Sequence, residues 1–123
     1  MNAHSQAQRA YLAASAPTRT PRNMEYDAVA RITHRIRSAD QLGNEGFSAL
    51  VEALYDNKKL WNIFAIDVAD AANQLPKGLK AQVFYLAEFT QQHTSKILAR
   101  QASVGPLLEV NTAILRGLRS GAA

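Results

Sequence analysis

DNKKLWNIFAIDVAD, residues 56–70, places the only tryptophan of the chain directly after two lysines. At about 100° per residue, Leu60, Trp61, Phe64, Val68 and Ala71 fall in one sector about 100° wide, the stripe of an amphipathic helix. Trp61 is thus on the apolar face, where it can be a core anchor, a docking point for another protein or part of a nucleic-acid site. Ile63 and Ile66 point elsewhere, towards the side that carries Asp67 and Asp70, so this helix has more apolar surface than one neighbour would cover. Upstream, Phe47, Leu50, Val51 and Leu54 recur at helical spacing. Asp56 or Asn57 either caps a further helix or marks a bend in one long one.

The same period extends in both directions. GNEG, residues 43–46, breaks the chain before Phe47, and residues 23–40 carry Val29, Ile32 and Ile36 on a narrow stripe among Arg31, His34, Arg35 and Arg37. PTRTP, residues 17–21, is a linker, because proline pushes the residue before it out of the helical region. The alanine-rich SQAQRAYLAA, residues 5–14, predicts a short helix that is marginal unless it docks. Downstream, Pro76 stands where the first helical position would be. Leu79, Val83, Leu86, Thr90, His93 and Ile97 then follow one stripe to about residue 100, flanked by Tyr85 and Phe89. Ser103 or Pro106 opens the last helix, in which Leu107, Val110, Asn111, Ile114 and Leu118 share a face widened by Leu108 and Leu115; SGAA at the end should fray.

No segment alternates like a strand between hairpin turns. The expectation is an all-α fold, a compact bundle of about four to five helices with an N-terminal helix that is mobile or docked. Residues 1–22 form the arm and 23–120 the helical domain. A chain of 123 residues can bury roughly two-thirds of its unfolded surface in a single core.

The composition removes several classes of function. With no cysteine there is no disulfide framework, thiolate zinc site or thiol nucleophile. Neither a signal peptide nor a membrane span is visible, and the expected location is the cytoplasm. Fourteen Lys and Arg against ten Asp and Glu give a net charge of +4, a weak footprint for nucleic acid when spread over the whole chain.

Catalytic and metal-binding patterns are equally thin. His4, His34 and His93 are far apart, with no second ligand one turn away, so no metal or cofactor is expected. His93, on the apolar stripe, reads as a partly buried histidine satisfied by a carbonyl or polar neighbour. Asp67 and Asp70 read as a solvated face, GNEG as a turn lacking the lysine of a phosphate loop, and no serine sits in a nucleophile elbow. An enzyme is not expected. Asn111 is the polar exception among apolar neighbours and must find partners if it is buried.

Two interaction readings remain. Arg31, Arg35, Arg37, Lys58 and Lys59, with Tyr26 and Trp61 as stacking rings, could meet RNA. Most of them have acidic company, and only the arm, with Arg9, Arg19 and Arg22 and no acid before Glu25, is uniformly positive. Alternatively, the surplus apolar groups Ile63, Ile66, Tyr85, Phe89, Leu108 and Leu115 suit a groove for an amphipathic partner helix. A central helix, apolar nearly all round, would also absorb them.

Taken in order, Ala10 and Tyr11, Pro21, Arg22 and Glu25, Ala53 and Leu54 followed by DNKKLW, Leu75 and Pro76, Leu107, Val110 and Asn111, and Gly117 and Leu118 resemble the FlaF family of flagellar biosynthesis regulators. The correspondence runs over nearly the whole chain, and Asn57 to Trp61 is its most specific part. It departs from the family pattern at Lys58 and Lys59, where arginines are usual, and at Thr112, where a basic residue is commoner. Lysine keeps the charge and loses the planar fork.

The resemblance implies a small helical cytoplasmic protein of alphaproteobacteria that acts on flagellin in flagellum assembly, in the manner of an export chaperone. It also implies a functional link to FlbT, a regulator acting on flagellin messenger RNA. A groove for the apolar terminal helices of flagellin is then expected from Trp61, Ile63, Phe64, Ile66, Tyr85 and Phe89, with Asn57, Lys58 and Lys59 in the adjoining motif and the lysines at the rim. The alternative is a post-transcriptional regulator that binds RNA or FlbT.

Overall fold

The computed structural model describes residues 21–120, with side chains over 25–117. The expectations for residues 5–14, for most of the linker and for the fraying C-terminus lie outside these residues. Within them the chain is all-helical: α1, Pro21–Gln41; a short 3-10 turn, Gly43–Gly46; α2, Phe47–Ala69; α3, Lys77–Leu98; and α4, Gly105–Ser120. The expected all-α architecture is therefore present with four packed helices. α2 is one uninterrupted helix of 23 residues, so Asn57 is neither a cap nor a bend.

Each boundary has a local cause. Gly43 has φ +62°, a left-handed conformation that costs a glycine little. Gly46 faces the Ala39 carbonyl oxygen so closely that no Cβ fits there without displacement, which lets the turn fold tightly onto the end of α1. Between α2 and α3, Asp70 Oδ1 accepts from the Ala72 N–H at 2.8 Å and Asn73 Oδ1 from Leu75 at 2.9 Å, side-chain turns that replace backbone ones. Pro76 is extended, with ψ 148°. It therefore stands just before the helix and not at its first position as expected, and its carbonyl accepts the Lys80 N–H.

α3 ends on Arg100 at φ 60°. The Gln101 N–H reaches Lys96 O at 2.8 Å and the Arg100 N–H reaches Ile97 O at 2.9 Å, the paired closure of a left-handed C-terminal cap usually made by glycine. Arginine is held there by its own side chain. The guanidinium lies over the Phe47 ring at 4.3 Å, and Nη1 donates to Asn44 Oδ1 at 3.3 Å.

The core is built from Val29, Ile32, Ile36 and Ala39 of α1, Leu50, Ala53, Leu54 and Leu60 of α2, Ile97 of α3, and Val104 and Leu107 at the start of α4. α2 packs against α1 on one side and α3 on the other, and α4 packs against α1. α3 and α4 scarcely touch. Among the described residues the ring of helices is therefore left open between them.

Candidate functional site

The residues with the most specific pattern in the sequence meet in the interior. Trp61 is 0 % exposed, because its position on the α2 stripe turns it inward. Its Nε1–H donates to Asn111 Oδ1 of α4 at 2.9 Å. The Asn111 amide in turn donates to Asn57 Oδ1 at 2.9 Å and to Thr33 Oγ1 at 3.0 Å. The Thr33 hydroxyl donates to Val29 O at 2.7 Å. One buried amide thus joins α1, α2 and α4, with its oxygen and both its N–H groups engaged, in a region where an unsatisfied group is costly. Phe64 closes over the indole edge-on, at 5.3 Å between ring centroids and 80° between planes.

Two further polar groups among the described residues are buried without partners: Asn57 Nδ2 and Thr90 Oγ1. Thr94 donates to the Thr90 carbonyl at 2.7 Å and leaves the Thr90 hydroxyl unserved. His93 Nε2 pairs with Ser103 O at 2.8 Å, a carbonyl in the loop after α3, and its ring stacks on Phe89 at 5.2 Å. Among the described residues no group of three or more His, Cys, Asp or Glu is placed to hold a metal ion.

The nine residues expected at a partner site do not line one groove. Asn57 and Trp61 are interior, and the indole N–H of Trp61 is satisfied there by an acceptor fifty residues away, a pairing no periodicity displays. Lys58, Lys59, Ile63, Phe64 and Phe89 are half-buried, and Phe64 and Phe89 pack against the core. Only Ile66, at 52 %, and Tyr85, at 66 %, stand well out into solvent. Lys59 Nζ sits over the Tyr55 ring at 5.1 Å.

Two surface features emerge instead. The first is a row of exposed apolar side chains along the seam of α2 and α3: Val51, Tyr55 and Ile66 from α2, Phe84 and Leu98 from α3. The register is fixed where Gln91 Nε2 donates to Lys58 O at 3.3 Å. Residues 84, 91 and 98 are seven apart and share the face that Gln91 turns to α2; 51, 55, 58, 62 and 66 form the matching stripe. Because the helices run antiparallel about that contact, Leu98 falls towards Val51 and Phe84 towards Ile66. The heptad spacing of Phe84, Gln91 and Leu98 was the sequence signal for this row, hidden by the stronger stripe beside it.

The second feature is a cleft of about 390 Å³ in the opening between α3 and α4. Phe64 and Val68 of α2, Leu75, Leu79, Val83 and Leu86, and Ile114 of α4 make it apolar, while Glu25, Asp67, Asn73 and Gln82 supply its polar lining. Phe64 and Val68 share the Trp61 stripe, whereas Ile66 and Tyr55 lie roughly 120–140° further round α2. The cleft and the row therefore use different faces of α2.

The basic face of α1 is partly neutralised, since Arg35 Nη1 pairs with Asp56 Oδ2 at 2.9 Å; Arg31 and Arg37 are exposed. No helix among the described residues is long and apolar enough to cross a membrane.

Residues 7–118 match the profile of the flagellar protein FlaF family. The chain belongs to the FlaF family. No curated protein and no solved structure matches it. FlaF membership carries a role in flagellar biosynthesis, in a family of regulatory proteins and not of enzymes. The features through which this chain resembles FlaF in sequence divide by place. Asn57, Trp61 and Asn111 make the buried network, whereas Glu25, Leu75 and Gly117 line the cleft.

Proposed function

We propose that this FlaF-family protein binds a terminal helical segment of flagellin as a secretion chaperone, and through that binding promotes flagellin synthesis and export. The observation that carries the reading is the row Val51, Tyr55, Ile66, Phe84 and Leu98, large apolar side chains 37–56 % exposed along one two-helix seam. Several large exposed apolar side chains on one pair of helices in a protein this small favour a partner over solvent. A seam between antiparallel helices accepts an amphipathic helix along its length, with anchors one or two turns apart. Lys58 lies within the α2 stripe, between Tyr55 and Ile66, and suits an acidic edge on that helix. A segment that is unfolded before binding loses conformational entropy when it docks, which keeps the affinity moderate and allows release at the export machinery.

Of the residues expected at the site, this reading keeps Ile66 and Lys58, and it leaves Trp61 and Asn57 in the interior. The test is calorimetric titration of the purified protein with flagellin from the same genome at two salt concentrations. Apolar docking predicts binding that changes little with salt. A steep loss of affinity with salt would point to charge contacts like those made with phosphates, and no binding to flagellin, with binding to FlbT or flagellin messenger RNA, would reject the chaperone reading.

A further inference from the structure

The exposed face of α2 and α3 carries a charge pattern beside its apolar row. In the antiparallel register set by the Gln91–Lys58 contact, Val51 stands level with Leu98 and Ile66 level with Phe84. Charges alternate along the same face. On α2 they run from Glu52 through Lys58 to Asp70, and at the matching levels α3 runs from Lys96 through Glu88 to Lys80. Each match holds to within one helical turn, about 5 Å. Wherever one helix is acidic, the other is basic. Glu52, Asp70, Glu88 and Lys96 are exposed, and Lys58 and Lys80 are half-buried. The Arg35–Asp56 ion pair, on the other flank of α2, uses none of them.

That layout is self-complementary about one axis. A two-fold axis parallel to the helices lays α2 of one molecule over α3 of another at the same level, and α3 over α2, as an isologous contact requires. Val51 then meets Leu98 of the second copy and Ile66 meets its Phe84. Lys58 faces Glu88, Glu52 faces Lys96 and Asp70 faces Lys80, each pair formed twice. A two-fold running across the helices at the Gln91 contact would instead set Lys58 against Lys58, a like-charge contact that costs binding energy. From Phe84 to Leu98 the face is about 21 Å long. Such a face lies at the small end of specific interfaces, so the association is weak and reversible.

We infer that this face binds a second copy of the same chain, α2 on α3 and α3 on α2, in a weak two-fold dimer whose register the Lys58–Glu88 contacts select. Under the flagellin reading the two occupants compete, and self-association keeps the apolar row covered until flagellin displaces it. The dimer itself needs no flagellin, so it stands or falls on the chain alone.

Sedimentation equilibrium of the full-length protein without flagellin is the test. The parent should show a monomer–dimer equilibrium at concentrations up to about 1 mM. Lys58→Glu and Glu88→Lys should each weaken self-association by about tenfold or more, because each sets like charges opposite one another twice. An equal mixture of the two single variants should recover it, since every contact between the two different chains then joins opposite charges. A charge effect confined to one chain is not repaired by mixing. A parent that stays monomeric up to about 1 mM would overturn the inference and leave the face to flagellin. So would single variants that associate like the parent, or a mixture that stays monomeric while both variants keep the parent's melting temperature.

Discussion

Asn111 makes three hydrogen bonds at 0 % exposure, and removing it leaves a buried indole N–H and a buried amide oxygen to find new partners and takes one donor from the Thr33 hydroxyl. Each orphaned buried group costs about 1–3 kcal/mol. Asn111→Leu should therefore destabilise the protein by about 3 kcal/mol or more, seen as a lowered midpoint in urea with little change in slope. Two threonines offer a sharper contrast. Thr33 accepts from Asn111 and donates to Val29 O, so Thr33→Val should cost about 1–3 kcal/mol. The Thr90 hydroxyl is buried without a partner, and Thr90→Val should be neutral or stabilising. The sequence displayed Asn111 as a polar residue on an apolar face and Trp61 on its stripe. It could not display that the two are partners, or that Thr33 completes the set, because hydrogen bonds between helices leave no periodic trace.

At the scale of elements, the two glycines of the 3-10 turn serve different ends. Gly43 has a positive φ, and no atom lies within 4 Å of the place a Cβ would take, so Gly43→Ala should cost only the left-handed penalty of about 1–2 kcal/mol. At Gly46 an added Cβ would run into the Ala39 carbonyl and approach Leu42 Cβ at 2.8 Å, and the turn must move off α1. Gly46→Ala should therefore be the more damaging of the two when their melting temperatures are compared. Helix existence followed from the spacing of Val29, Ile32 and Ile36, of Leu50 and Leu54, and of Val83, Leu86 and Ile97. Whether α2 broke at Asp56 or Asn57 did not, because a residue able to cap can equally sit inside a helix when its side chain is claimed by a neighbour, as Asn57 is by Asn111.

At the scale of the whole molecule, the proposed reading separates stability from recognition. The pattern that identifies the family most sharply is largely interior, which is why a tryptophan after two lysines invited a docking reading that its burial does not favour. Trp61→Ala should cost about 3–5 kcal/mol from lost packing, and any loss of flagellin binding should track the unfolded fraction measured by circular dichroism. The exposed row was only half legible. Ile66 stood out as surplus on its helix, but Phe84 and Leu98 gain meaning only from the register that the Gln91 contact sets against Lys58.

The most direct measurement is titration of flagellin into the double variant Ile66→Asp, Phe84→Asp, beside the parent protein. Both side chains are about half exposed, so charges there should leave the melting temperature within a few degrees while flagellin affinity falls by at least tenfold. Parent-like affinity in a folded double variant would contradict docking along the α2–α3 seam.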